Sequence, residues 1–135
     1  MIDFTDDLNT GIAVIDDQHR ELFRRINLLL ADIEGGRGPE AVSGTLGFLE
    51  EYIVEHFTAE ENLQIHYSYP GYALHKAMHD GFRLDVGLLR ERLATAGPTP
   101  ELVFMTRGLV VEWLVEHIKK ADRSIGAYIK TRGGA

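Results

Sequence analysis

Three clusters of helix breakers, EGGRGP at 34–39, YPG at 69–71 and AGPTP at 96–100, cut this chain into four long segments. Proline withholds an amide donor and glycine accepts turn conformations, so helices stop at such points. Between the breakers, apolar residues recur at helical spacing. Phe23, Ile26, Leu29, Leu30 and Ile33, for example, form one stripe on the first segment. The pattern predicts helices over about 16–34, 39–67, 72–94 and 99–130, with Pro39 in a first turn, where proline is tolerated. At 1.5 Å per residue each helix is about 30–45 Å long. Connections this short force neighbours to run antiparallel, so the predicted fold is all-α, an up-down-up-down four-helix bundle. Residues 1–15 show no helical period and are expected to lie across the bundle as an extended arm. The chain's 135 residues suit a single domain that buries a core without disulfides.

Glycines 44, 47, 81, 87, 108 and 126 fall inside the helical pattern, each at a cost of about 1 kcal/mol against alanine. Close approach of neighbouring helices is the expected reason for them. The GGA tail after Arg132 is expected to fray.

Composition removes several kinds of chemistry. There are no cysteines, which excludes disulfides, thiolate metal sites and thiol catalysis. A net charge of −7 argues against nucleic acid or anionic lipid as a partner. No apolar run approaches the roughly 18 residues of a membrane span, and the acidic start MIDFTDDLNTG lacks a signal-peptide layout. The expected location is the cytoplasm.

The six histidines are unevenly placed. Residues four apart on a helix lie about 40° apart, on one face. His56 and Glu60 therefore share a face of the second helix, and His75 and His79 share a face of the third. His19 on the first helix and His117 with Asp122 on the fourth complete the set. Val54, Phe57 and Leu63 flank the first pair with apolar side chains, as Trp113, Leu114, Val115 and Ile118 flank His117. One histidine on such a face is an ordinary core residue. Five with two carboxylates would carry a large desolvation cost unless a metal gathered them.

By ligand type the set suits iron, copper, nickel or zinc. Neither HFTAE nor HKAMH is the HExxH of a zinc protease helix. No histidine has a glutamate three positions before it, unlike the ligand motif of ferritin-like di-iron bundles. Two carboxylates able to bridge make a dinuclear centre natural.

The segments GIAVIDDQHRELF, HFTAEENL, YPGYALHKAMH and WLVEHIKKAD resemble the hemerythrin family in its bacterial single-domain form, over residues 4–129. The resemblance implies a non-haem di-iron centre. His75, His79 and His117 would bind one iron, and His19 and His56 the other. Glu60, Asp122 and an oxide or hydroxide would bridge them. Five imidazoles and three bridging groups leave one position of two six-coordinate irons open, on the two-histidine side. Reversible dioxygen binding there, as carrier, store or sensor without turnover, is the implied function. The alternative is a di-iron enzyme, oxidase- or peroxidase-like or scavenging nitric oxide. A site that has lost its metal fits least, since all the ligand types are present. Phe57, Trp113, Leu114 and Ile118 are the expected lining of the dioxygen pocket.

Three features depart from the simplest pattern. His117 and Asp122 are five apart, about 140° on a regular helix, which predicts a bulge near 118–122. His66 lies about 80° from His56, off the ligand face, and has no family ligand role. Gln64 stands where the family commonly has an apolar residue. If it faces the site, it would hydrogen-bond Glu60 or admit water.

Overall fold

The computed structural model describes residues 2–132, and among these residues it contains helices and no strands. The GGA tail lies outside the described residues. The first rod is α1 (Ala13–Glu34). The second is α2 (Gly38–Tyr52), continuing through a π-helical turn at Ile53–Phe57 into α3 (Thr58–His66). The third is α4 (Tyr72–Ala96). The fourth comprises α5 (Pro100–Gly108), a π turn at Leu109–Leu114, α6 (Val115–His117), a second π turn at Ile118–Asp122, and α7 (Arg123–Thr131). The rods pack antiparallel as a four-helix bundle. Their ends carry the expected signals. Gly97 takes φ 76° where α4 stops, and the Thr99 hydroxyl accepts from the Leu102 amide at 3.1 Å to start α5.

Two apolar cores fill the bundle. The larger includes Leu22, Phe23, Ile26, Leu46, Leu49, Phe57, Phe82 and Leu114. A smaller one, toward the ends where α1 begins and α7 runs, is built from Ile12, Ile15, Ile125 and Ile129 with Leu63 and Tyr67 against it. Along the first and second rods His19 and Glu60 fall between residues of the two cores, and Asp122 does so on the fourth. Polar groups there are walled from water on both sides. Val54, expected beside His56, points away and is 67% exposed.

The N-terminal arm is less extended than its sequence suggests. It contains a 3-10 turn at Asp6–Leu8, and α1 already begins at Ala13. Asp16, buried on α1, ties the arm down. Its Oδ1 accepts from the Thr10 amide and hydroxyl, each at 2.8 Å, and its Oδ2 from the Gly11 amide at 3.1 Å. The arm then crosses α7 at Gly126, where a Cβ would stand 2.8 Å from the Thr10 carbonyl carbon. Of the six helical glycines only Gly126 meets the close approach expected of all of them. Gly44, Gly47, Gly81, Gly87 and Gly108 face open space. Opposite effects should follow from one substitution. Gly126→Ala should destabilise by about 1–3 kcal/mol through overpacking. Gly44→Ala should stabilise by up to about 1 kcal/mol through helix propensity. Urea unfolding of both variants checks the pair, and equal signs would contradict the crossing. No helix among the described residues is long and apolar enough to cross a membrane.

Candidate metal centre

Between the two cores, side chains from all four rods converge in two overlapping groups. Glu60, His75, His79, His117 and Asp122 form one, and His19, His56, Glu60 and Asp122 the other; within each, the donor atoms all lie within 4.8 Å of one another. All seven residues are buried. The two i,i+4 pairs arrive by regular helix geometry. Asp122 arrives by the π turn at Ile118–Asp122, where the widened turn brings residues five apart round to one face. This is the bulge the spacing predicted. The π turns at Ile53–Phe57, which holds His56, and at Leu109–Leu114 had no such signal.

The two carboxylates divide their oxygens between the groups. Asp122 places Oδ2 at 3.0 Å from His19 Nε2, and Oδ1 at 3.1 Å from the Nε2 atoms of both His75 and His117. Glu60 places Oε2 at 3.3 Å from His56 Nε2 and 3.7 Å from His19 Nε2. Its Oε1 stands 3.2 Å from His79 Nε2 and 3.4 Å from His75 Nε2.

Outer partners set the imidazole tautomers. His79 Nδ1 donates to Glu61 Oε2 at 2.7 Å, and Arg83 braces the same oxygen at 3.1 Å. His56 Nδ1 donates to Gln18 Oε1 at 2.5 Å. A neutral imidazole carries one N–H, so the Nε2 atoms of both rings face the centre as lone pairs. Yet the Nε2 atoms of His75 and His79 stand 2.9 Å apart, those of His75 and His117 3.0 Å, and those of His19 and His56 3.0 Å. Glu60 Oε1 and Asp122 Oδ1 are buried without a hydrogen-bond partner. Lone pairs and carboxylate oxygens crowded this closely repel unless a cation lies among them.

Spacing also bears on the cation's geometry. Imidazole nitrogens about 2.1 Å from a metal stand about 3.0 Å apart at right angles and about 3.4 Å apart in a tetrahedron. The observed separations match nitrogens set at about right angles around a cation rather than tetrahedrally. The donor set therefore fits nitrogen-binding metal cations gathered by the histidines and the two carboxylates.

Without metal, the charges respond to one another. Burial disfavours a charge on His75, but the carboxylates of Asp122 and Glu60 beside its Nε2 push it up to about 9. His19, against the same effect of burial, is raised by Asp122. Burial would raise both carboxylates, and Asp122 would raise Glu60 further, but the histidines hold both below their ordinary range.

The surroundings hold residues that sequence patterns missed and place others differently. Phe57 stacks on His79 with ring centroids 3.7 Å apart, and Trp113 on His117 at 4.8 Å. Both therefore cover the three-histidine group. Leu114 and Ile118 are fully buried in the larger core. His66 is exposed, edge-on to Tyr67 at 4.8 Å, and belongs to neither donor group. Gln64 is fully buried, but its amide bonds no protein atom, Glu60 included. Gln18 and Glu61 were missed, although each is the chain neighbour of a ligand candidate. Tyr52, stacked on His56 with centroids 4.7 Å apart, was missed as well. Its phenol is raised well above its ordinary value by burial and by the charges of Glu60 and Asp122.

Comparison with known proteins agrees with this geometry. The family model described as the hemerythrin HHE cation binding domain matches residues 10–129. A bacteriohemerythrin of Pseudomonas paraeruginosa is 35% identical over 117 residues, 87% of this chain and 74% of the relative. One of Methylococcus capsulatus is 33% identical over 122 residues, 89% of each chain. Myohemerythrin of Sipunculus nudus is 30% identical over 109 residues, 81% of this chain and 78% of the relative. With its helical bundle, its buried cluster of histidines and carboxylates and a family match spanning nearly its whole length, the chain belongs to the hemerythrin family.

Proposed function

We propose that this protein binds dioxygen reversibly at a pair of iron ions, as a carrier, store or sensor. His75, His79 and His117 hold one ion, His19 and His56 the other, and Glu60 and Asp122 bridge them. One observation carries the reading: each carboxylate sends one oxygen to each histidine group. The iron pair, when bound, would supply the reversible electron donation that dioxygen binding needs.

The chain's own residues favour release over reaction. Glu61 and Gln18 fix His79 and His56 by accepting their Nδ1 protons, so neither ring has a proton to give to the centre. Phe57, Leu114 and Ile118 are each about 1% exposed, and with Trp113 they surround the three-histidine group with side chains that carry no titratable proton. A site short of mobile protons disfavours cleavage of the O–O bond.

The experiment is anaerobic loading with ferrous iron, addition of dioxygen, then sparging with argon while the visible spectrum is recorded. A charge-transfer band that appears and fades over repeated cycles is the expected result. The second reading, a di-iron oxidase, draws on Gln64, whose unpaired buried amide offers water a foothold one turn from Glu60. Rapid irreversible oxidation in the same experiment favours it and counts against carriage.

A further inference from the structure

Tyr52 lies one helical turn before His56, and its ring covers the imidazole at 28° from parallel. Phe48 packs beside it at 5.6 Å. Tyr52 is only 7% exposed, and its hydroxyl is buried with no hydrogen-bond partner in the chain. A buried hydroxyl left unpaired costs about 1–3 kcal/mol. Phenylalanine would fill the same space and stack on the same histidine without that cost. The hydroxyl makes chemical sense where its partner comes from outside the chain.

Two observations locate that partner. His56 belongs to the group with fewer protein donors, four against five, so an added ligand has room on that side of the centre. A cleft of about 120 Å³ reaches the same ring; Gln18, Phe48, Tyr52 and His56 line it together with the carboxylates of Glu21, Glu51 and Glu55. A water molecule takes about 30 Å³ of liquid, so the cleft has room for about four, the scale of a small ligand. Phe4 and Phe57 also approach this side, at 6.4 Å from His19 and 6.1 Å from His56, but neither carries a hydrogen-bond donor.

We propose that Tyr52 donates a hydrogen bond to a small acceptor ligand bound on the His19–His56 side of the centre, an inference that rests on the metal-centre reading above. The phenol then selects among ligands of similar size. It favours those that present a basic end atom and gives nothing to those that do not.

The test compares Tyr52→Phe with the parent protein in three measurements. Iron per chain after loading should be equal in the two, because Tyr52 is not a ligand. The metal-free variant should melt at the parent's temperature or above it, because the substitution removes an unpaired buried hydroxyl. Azide, used as the probe and titrated into the oxidised, loaded proteins, should bind the variant about tenfold more weakly, the loss expected for a hydrogen bond to a charged acceptor. Equal azide affinity in two proteins that each hold two irons overturns the role of Tyr52 and leaves the centre standing. A variant that melts several degrees lower without metal shows that the hydroxyl already has a partner in the chain, and overturns the role too. A parent that binds no iron removes the centre, and the proposal falls with it.

Discussion

Asp122→Ala should leave the protein unable to retain either metal ion. Asp122 belongs to both donor groups and lies within 3.1 Å of histidines from the first, third and fourth rods. Losing an outer partner of a ligand typically costs roughly 10–100-fold in metal affinity. In the proposed centre Asp122 would give a donor to both ions, so its removal should cost more than that range. Elemental analysis after gel filtration should find close to two irons per chain in the parent and almost none in the variant. His75→Ala is the informative contrast, since it touches one group only. It should retain the ion held by His19 and His56 more firmly than the other. Asp122→Asn keeps the side-chain volume and reports whether the fold survives. Two irons per chain in Asp122→Ala would remove this residue from the centre.

The second large effect is on stability, and its pH dependence should differ between loaded and stripped protein. His75 in the metal-free protein is raised from 6.5 to about 9. A raised histidine contributes stability that is fully present below the unfolded value and is lost as pH climbs through the folded one. The stripped protein should therefore weaken between about pH 6.5 and 9. Glu60 and Asp122 are depressed from 4.5 and 3.8, and their contribution fades as pH falls through their folded values. Metal needs neutral imidazole, so the loaded protein does not share the alkaline loss, while protons displace the metal in acid. At free metal 1,000-fold above the dissociation constant, loading stabilises by about 4 kcal/mol. For a chain of this size that is roughly 8–16 °C in Tm. Calorimetry of both forms should show this gap widening from pH 6.5 to 9 and closing near pH 4 as iron is released. A stripped protein with a flat Tm across the alkaline range, or full iron retention at pH 4, would contradict the account.

What the sequence made legible was whatever leaves a local period. The breakers and stripes marked four rods. The four-residue spacings put His56 with Glu60 and His75 with His79, and the five-residue spacing of His117 and Asp122 called for the π turn that α6 runs into. The π turn at Ile53–Phe57 left no trace because His56 and Glu60 are well placed on either kind of helix. Relations across rods were out of reach. Glu61 reads as an ordinary helix carboxylate until α4 brings His79 to 2.7 Å from it. Five of the six helical glycines were misread for the same reason, since a one-chain pattern does not say whether a face meets a neighbour or water.

The π turn at Ile118–Asp122 also has a reach beyond the metal. A helix has a phase, and one residue inserted or removed turns everything after it by about 100°. Were this turn regularised by one residue, α7 would rotate against the rest of its rod. Ile125 and Ile129 would swing out of the smaller core, and Gly126 would no longer face Thr10. The residue that brings Asp122 to the histidines thus also sets the register in which the N-terminal arm docks. One irregularity fixes both the place of Asp122 among the histidines and the register in which the bundle's end closes.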